Sequence, residues 1–283
     1  MATMSFRELL RARPDSDDPL AHHATDSHPG VKDKKTAAAS EPIDGERLAG
    51  LQERLFAEDA RALLLVLQGI DTSGKDGVIK HVIGDVNPLG CRITSFKKPT
   101  PEEAKHHFLW RIRRALPEPG QLGVFGRSHY EDVIVPRVKG GLTDAEIDKR
   151  YAEIARFEAG LAGGSTTIVK CFLHISFEEQ RERLVARLDD PTKRWKFNPA
   201  DVDERELWPK YQETFREVLR RSSYDVAPWY VIPADRKWYR NWAVGRLLVE
   251  TLTEMAPQYP QPELDITALK SRLTGRPHLR AVK

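Results

Sequence analysis

The sequence predicts an α/β fold: a three-layer αβα sandwich with a mostly parallel sheet, a phosphate loop and a helical lid. Three observations carry that expectation. Short, wholly apolar runs recur along the chain, the segments between them have helical apolar periodicity, and a glycine-bearing turn follows the first run directly.

The elements follow in order. Residues 46–59 place Leu48, Leu51, Leu55 and Phe56 at spacings of three and four with charges between, the pattern of an amphipathic helix. Residues 62–67 are unbroken aliphatic sequence ending in Gln68-Gly69, as expected of a strand buried on both faces. Val78, Ile79, Val82 and Ile83 then open a second helix. Residues 122–125, 166–175 and 229–233 read as further strands, and residues 143–161, 177–188 and 208–219 as helices. Residues 1–43 mix turn formers, charge and small residues without periodicity, and are expected to be a mobile arm without a function for His22, His23 or His28. The main domain then spans 44–257, with a lid at about 189–221 where prolines and bases crowd together, and 258–283 is a tail.

Composition narrows the class. The 283 residues are 40% hydrophobic and 31% charged, which excludes disorder over most of the length. The six-residue run at 62–67 is far below the ~20 residues needed to cross a bilayer, so no membrane partner is expected. The 45 basic residues nearly cancel the 42 acidic ones, so the net charge of +3 does not call for nucleic acid. Two cysteines, Cys91 and Cys171, make no disulfide framework, and the N-terminal sequence lacks the apolar core of a secretory signal; a cytoplasmic location is expected.

The chemistry concentrates in Gly69-Ile-Asp71-Thr72-Ser73-Gly74-Lys75-Asp76-Gly77, which fits G-x-x-x-x-G-K between a strand and a helix. In that context backbone N–H groups and the helix N-terminus cradle phosphate oxygens while the lysine neutralises charge. Asp76 stands where a Ser or Thr ordinarily meets magnesium, and Asp71 lies inside the loop. A carboxylate aimed at phosphates repels them unless a cation intervenes, so these acids imply a magnesium-bridged site, although Asp76 also suits a helix N-terminus. Arg127, Glu131 and Asp132 follow the 122–125 strand and are expected to face the loop, because ligands of open parallel sheets gather beyond the strands' carboxyl ends. Residues 97–114 hold six bases (Lys97, Lys98, Lys105, Arg111, Arg113, Arg114) against two acids, and Arg187, Lys193, Arg194 and Lys196 repeat the pattern towards the lid. Beside a phosphate loop, these suit a long anionic substrate.

In that order GIDTSGKDGVIKHV, NPLGCRITSFKKPTPEE, HHFLWRIRRALP and RSHYEDV, then TKRWKFNPAD and YVIPADRKWYRNW, resemble the polyphosphate kinase 2 family over about residues 48–252, most nearly its subgroup acting on AMP and ADP. The resemblance implies a thymidylate-kinase-like fold, magnesium with manganese as substitute ion, and a homodimer or homotetramer. It implies that Asp71 and Asp132 hold metal, that Lys75 binds phosphate, and that Arg127 lines the site with Glu131 beside the nucleotide. It also implies that Lys97, Lys98, Arg111, Arg187, Lys193 and Arg194 contact polyphosphate or nucleotide phosphates. The expected reaction is reversible phosphoryl transfer between inorganic polyphosphate and adenine nucleotides, or guanine ones. One departure stands out: Gly126 replaces the Asn or Asp that the family carries before its arginine. Two other readings are a polyphosphate-binding protein weakened in catalysis at Gly126, and an ATP-dependent kinase of small metabolites.

Overall fold

A computed structural model describes residues 5–84 and 86–274. Its strands are β1 (Ala62–Gln68), β2 (Cys91–Ser95), β3 (Leu122–Gly126), β4 (Thr166–His174) and β5 (Trp229–Pro233). They form one sheet in the order β2-β3-β1-β4-β5, every pair parallel. The helices are α1 (Phe6–Leu10), α2 (Lys34–Glu58), α3 (Lys75–Val82), α4 (Leu109–Arg114), α5 (Glu131–Lys139), α6 (Asp144–Gly163), α7 (Phe177–Asp189), α8 (Ala200–Glu206), α9 (Trp208–Ser222), α10 (Lys237–Met255) and α11 (Ile266–Thr274). One helical layer is built from α1, α2, α3 and α10, and another from α5, α6 and α9.

β1, β3 and β5 are buried along their whole length, as their apolar sequences require between two helical layers. β2 was not among the expected strands. It is the sheet edge, and Arg92, Thr94 and Ser95 leave it only partly covered, so no apolar run marks it. No described helix is long and apolar enough to cross a membrane.

Two boundaries are corrected. Residues 5–33 are not a separate arm: Leu10 and Leu20 are buried, the Ala12 N–H donates to Trp229 O at 2.8 Å, and Arg11 forms an antiparallel bridge with Tyr230. This segment covers the outer edge of β5, an exposed row of backbone groups otherwise. The boundary at 43 also falls inside α2, which Asp33 caps by accepting from the Thr36 N–H. The second correction concerns the lid. α9 buries Thr214, Phe215, Val218 and Leu219 and packs on α5, so it belongs to the core. The outer part is residues 190–206, where α8 and the short turn Arg194–Lys196 have no buried residue. α11 has none either, and residues 275–283 of the expected tail lie outside the described residues.

Candidate active site

The loop leaving β1 needs unusual backbone. Gly69 and Gly74 adopt positive φ, which glycine tolerates, while Thr72 is held at φ 65, a conformation costing a non-glycine residue about 1–3 kcal/mol. Arg183 of α7 holds the bend by donating to Thr72 O at 2.9 Å and Ser73 O at 3.0 Å. Lys75, the first residue of α3, folds back to donate to Gly69 O at 2.7 Å and Ile70 O at 3.2 Å. Burial of its ammonium, together with the Arg127 cation, lowers its pKa to about 8. Asp71 lies 3.1 Å from Arg187 and 3.9 Å from Arg127.

β3 delivers the second half. The Arg127 N–H donates to Leu67 O at 3.1 Å, which fixes the end of β3 beside the end of β1, and Arg127 itself is held at φ 71. The next residues are anchored from below. Ser128 Oγ accepts from Gln68 Nε2, and Tyr130 donates its hydroxyl to Glu158 at 2.8 Å. Glu158 also accepts from Lys170 at 2.6 Å, and all three side chains are fully buried. A buried, fully satisfied cluster of this kind holds one arrangement, because any loosening strands a charge in low dielectric.

Between the halves lies a cavity of about 190 Å³ whose lining includes Asp71, Lys75, Arg127, Glu131, Gln180, Asp201, Glu204 and Tyr211. A larger hollow of about 580 Å³ between α2, α3 and α10 holds none of the expected site residues, so the smaller one is the candidate site. It unites Asp71, Lys75, Arg127 and Glu131, as expected from the strand ends. Thr72 and Ser73 lie in the same loop, and their buried hydroxyls have no partner.

Other expectations change. Asp132 does not line the cavity: it is 3.6 Å from Arg111 and 3.8 Å from Arg150. Its burial raises its pKa against the pull of those two arginines. A single residue step separates the roles, since α5 begins at Glu131 and consecutive side chains on a helix point in different directions. Asp76 is exposed and 3.4 Å from Lys196, the surface arrangement of a helix N-terminal acid. Arg111 is buried and donates to Lys97 O at 2.7 Å, so it braces the structure rather than standing free on a basic surface. Lys193 pairs with Asp190 at 2.5 Å, and Arg194 donates to Leu188 O at 2.7 Å. Lys97 and Lys98 are exposed after β2. Of the expected polyphosphate contacts, Arg187 alone pairs with a cavity acid. At Gly126, a Cβ would lie 2.9 Å from Ser95 Oγ and 3.4 Å from Ile79 Cδ1, so a larger residue there crowds β2 and α3.

Gln180, Arg183, Asp201, Glu204 and Tyr211 were missed. Gln180, Arg183 and Arg187 recur at three and four along α7, a polar stripe that helical periodicity could have marked as facing a site.

A glycine loop after the central strand of a parallel sheet, facing an arginine and a carboxylate from the adjacent strand across a small polar cavity, defines a P-loop phosphotransferase. The chain belongs to the polyphosphate kinase 2 family, whose model, Polyphosphate kinase 2 (PPK2), matches residues 31–260. It is 50% identical over 230 residues to the AMP/ADP-polyphosphate phosphotransferase of Meiothermus ruber, covering 81% of this chain and 86% of that one. It is 42% identical to the ADP-polyphosphate phosphotransferase of Rhodopseudomonas palustris, over 76% of this chain and 79% of the relative. The crystal structure of polyphosphate kinase 2 from Arthrobacter aurescens TC1 superposes with a TM-score of 0.92 at 42% identity, over 95% of this chain and 96% of that one.

Proposed function

We propose that this protein transfers phosphoryl groups reversibly between inorganic polyphosphate and adenine nucleotides, converting AMP to ADP and ADP to ATP. The observation that carries this reading is Lys75 and Arg127 converging on one cavity beside a pre-bent phosphate loop. The names of the relatives supply the substrate class. The attacking group is a phosphate oxygen already ionised at neutral pH, so no side chain has to remove a proton, and catalysis rests on positioning and charge. Loop amides and Lys75 hold the phosphates at the transfer point. Arg127 spreads its planar fork against charge that grows on the transferring group.

The residues suit magnesium at one point. Asp71 offers a hard carboxylate to the cavity, and magnesium keeps most of its shell as water and substrate phosphate. No cluster of three or more metal-binding side chains occurs among the described residues, so the ion is expected to be held by Asp71 and the phosphates together. An ion held there would supply positive charge against the phosphate oxygens. Asp132 lies outside the cavity lining, 3.6 Å from Arg111 and 3.8 Å from Arg150, and its Oδ2 is buried without a hydrogen-bond partner. The reading also carries a cytoplasmic homodimer or homotetramer, supported by family likeness and measurable by light scattering.

The test is purified protein with magnesium and long-chain polyphosphate, offered AMP, ADP, GMP and GDP separately and followed by chromatography. ADP and ATP are the expected products. Transfer from ATP to small metabolites with no conversion from polyphosphate overturns the reading in favour of an ordinary kinase, and polymer binding without conversion overturns it in favour of a binding protein.

A further inference from the structure

The segment YVIPADRKWYRNW supplies β5 and the start of α10, and places Arg240 on the first turn of that helix. That residue is 4% exposed and has no carboxylate within ion-pair distance among the described residues. Buried arginines are ordinarily paired. Arg240 donates instead to Asn241 Oδ1, and its Nη1 lies 3.5 Å from Ser73 O.

The phosphate loop is shaped around this guanidinium. A Cβ on Gly74 would overlap its Nη1, and a Cβ on Gly77 would stand 2.5 Å from its Nη2. Gly74 needs its positive φ, but Gly77 has an ordinary backbone and lies within α3, where glycine weakens a helix. The adjacent guanidinium accounts for it. Arg183 lies alongside, donating to Thr72 O and Ser73 O in front and to Ala234 O and Asp235 O behind. Among the described residues, the one carboxylate within ion-pair distance of these two guanidiniums is Glu179, 2.6 Å from Arg183. Two buried cations with one anion leave a positive charge uncompensated behind the loop. Each planar peptide points its N–H opposite its C=O, so drawing Ser73 O towards the arginines turns the Gly74 N–H away from them.

We propose that Arg240 is a positioning residue acting from behind the loop: with Arg183 it aims the loop amides forward and supplies a buried positive charge that only a phosphate bound in front can compensate. The inference rests on phosphate occupying this loop, as the proposed function has it. Arg240 does not touch substrate. Its charge burdens the empty protein, and bound polyanion relieves that burden. Burial and the neighbouring Arg183 also lower its pKa, to about 10.

Arg240→Gln, Arg240→Lys and Gly77→Ala test this by two measurements: thermal unfolding with and without inorganic tripolyphosphate, and kcat and KM for polyphosphate. Arg240→Gln is expected to unfold no lower than wild type without ligand, yet to bind tripolyphosphate about tenfold more weakly, the scale of one partly screened charge at close range. Arg240→Lys keeps the charge and is expected within about threefold of wild type. Gly77→Ala pushes the guanidinium away and is expected to raise KM with no change in charge. A merely structural arginine gives the opposite signature: lower unfolding temperature without ligand and unchanged affinity. That result, failure of Arg240→Gln to fold, or equal losses in Arg240→Lys and Arg240→Gln overturns the inference. If wild type neither binds tripolyphosphate nor converts nucleotide, the proposed function falls first. If it does both and Arg240→Gln matches it, only the role of Arg240 falls.

Discussion

The phosphate loop, residues 69–77, and the outer segment, residues 190–206, border one cavity and are held by opposite means. Loop carbonyls are pinned by buried guanidinium N–H groups, and the strand ends beside them are locked by the Arg127 to Leu67 hydrogen bond. The outer segment is tied by Lys193 to Asp190, Lys196 to Asp76 and Lys139 to Glu204, all with at least one well-exposed partner, while Trp195 is 77% exposed. Such surface pairs contribute about 0–1 kcal/mol each, whereas stranding a buried charge costs several. The loop therefore meets substrate already shaped, and the outer segment has little to lose by rearranging over it.

The sharpest way to break this contrast is Lys75→Ala, which removes the loop's only ammonium: turnover should fall at least about 100-fold, and an enzyme keeping more than a few per cent of its rate would remove the loop from the mechanism. Arg127→Gly should cost about 10²–10³ in kcat while leaving unfolding temperature unchanged or higher, because glycine tolerates φ 71 and arginine does not. A large loss of stability there would show that Arg127 is a structural brace.

Affinity for tripolyphosphate should then decline as pH rises from 7 to 9. The folded pKa of Lys75 lies below its ordinary value, at about 8, so the empty loop sheds this proton through that window, and binding an anion must restore it. Calorimetry in buffers of different ionisation heat should show proton uptake near pH 8.5; none would mean that Lys75 stays charged throughout. Asp132→Asn should leave stability unchanged or slightly higher, because burial opposes the ionised carboxylate more than Arg111 and Arg150 support it, and leave kcat within tenfold. Abolished turnover at unchanged stability would return Asp132 to the reaction. The smallest effect belongs to the outer segment: Lys196→Ala should change stability by less than ~0.5 kcal/mol and turnover by less than about threefold.

Legibility in the sequence followed burial and locality. β1, β3 and β5 are readable because strands buried along their whole length are almost wholly apolar, and β4 because its middle is, whereas the partly exposed edge strand β2 carries no such run. Gly69 to Lys75 was readable because its parts sit within one turn of chain. Asp201, Glu204 and Arg240 reach the cavity or the loop from segments more than a hundred residues away, and local spacing does not show which side chains of those segments make that meeting. Glu131 and Asp132 were both expected at the site, but which of two neighbours points inward depends on where α5 begins. Residues 5–33 carry no sequence signal of their docking, because irregular chain can bury Leu10 and Leu20 without any period.

The strip of backbone laid along β5 carries a practical lesson for anyone trimming this enzyme. Deleting residues 5–33 as dispensable would strip the Ala12 and Arg11 contacts from the outermost strand. A bare margin of that sort recruits whatever extended polypeptide is nearest, and in a concentrated preparation the nearest is another molecule of the same protein. Shortened versions should therefore fail first by clumping, before any defect in chemistry can be seen.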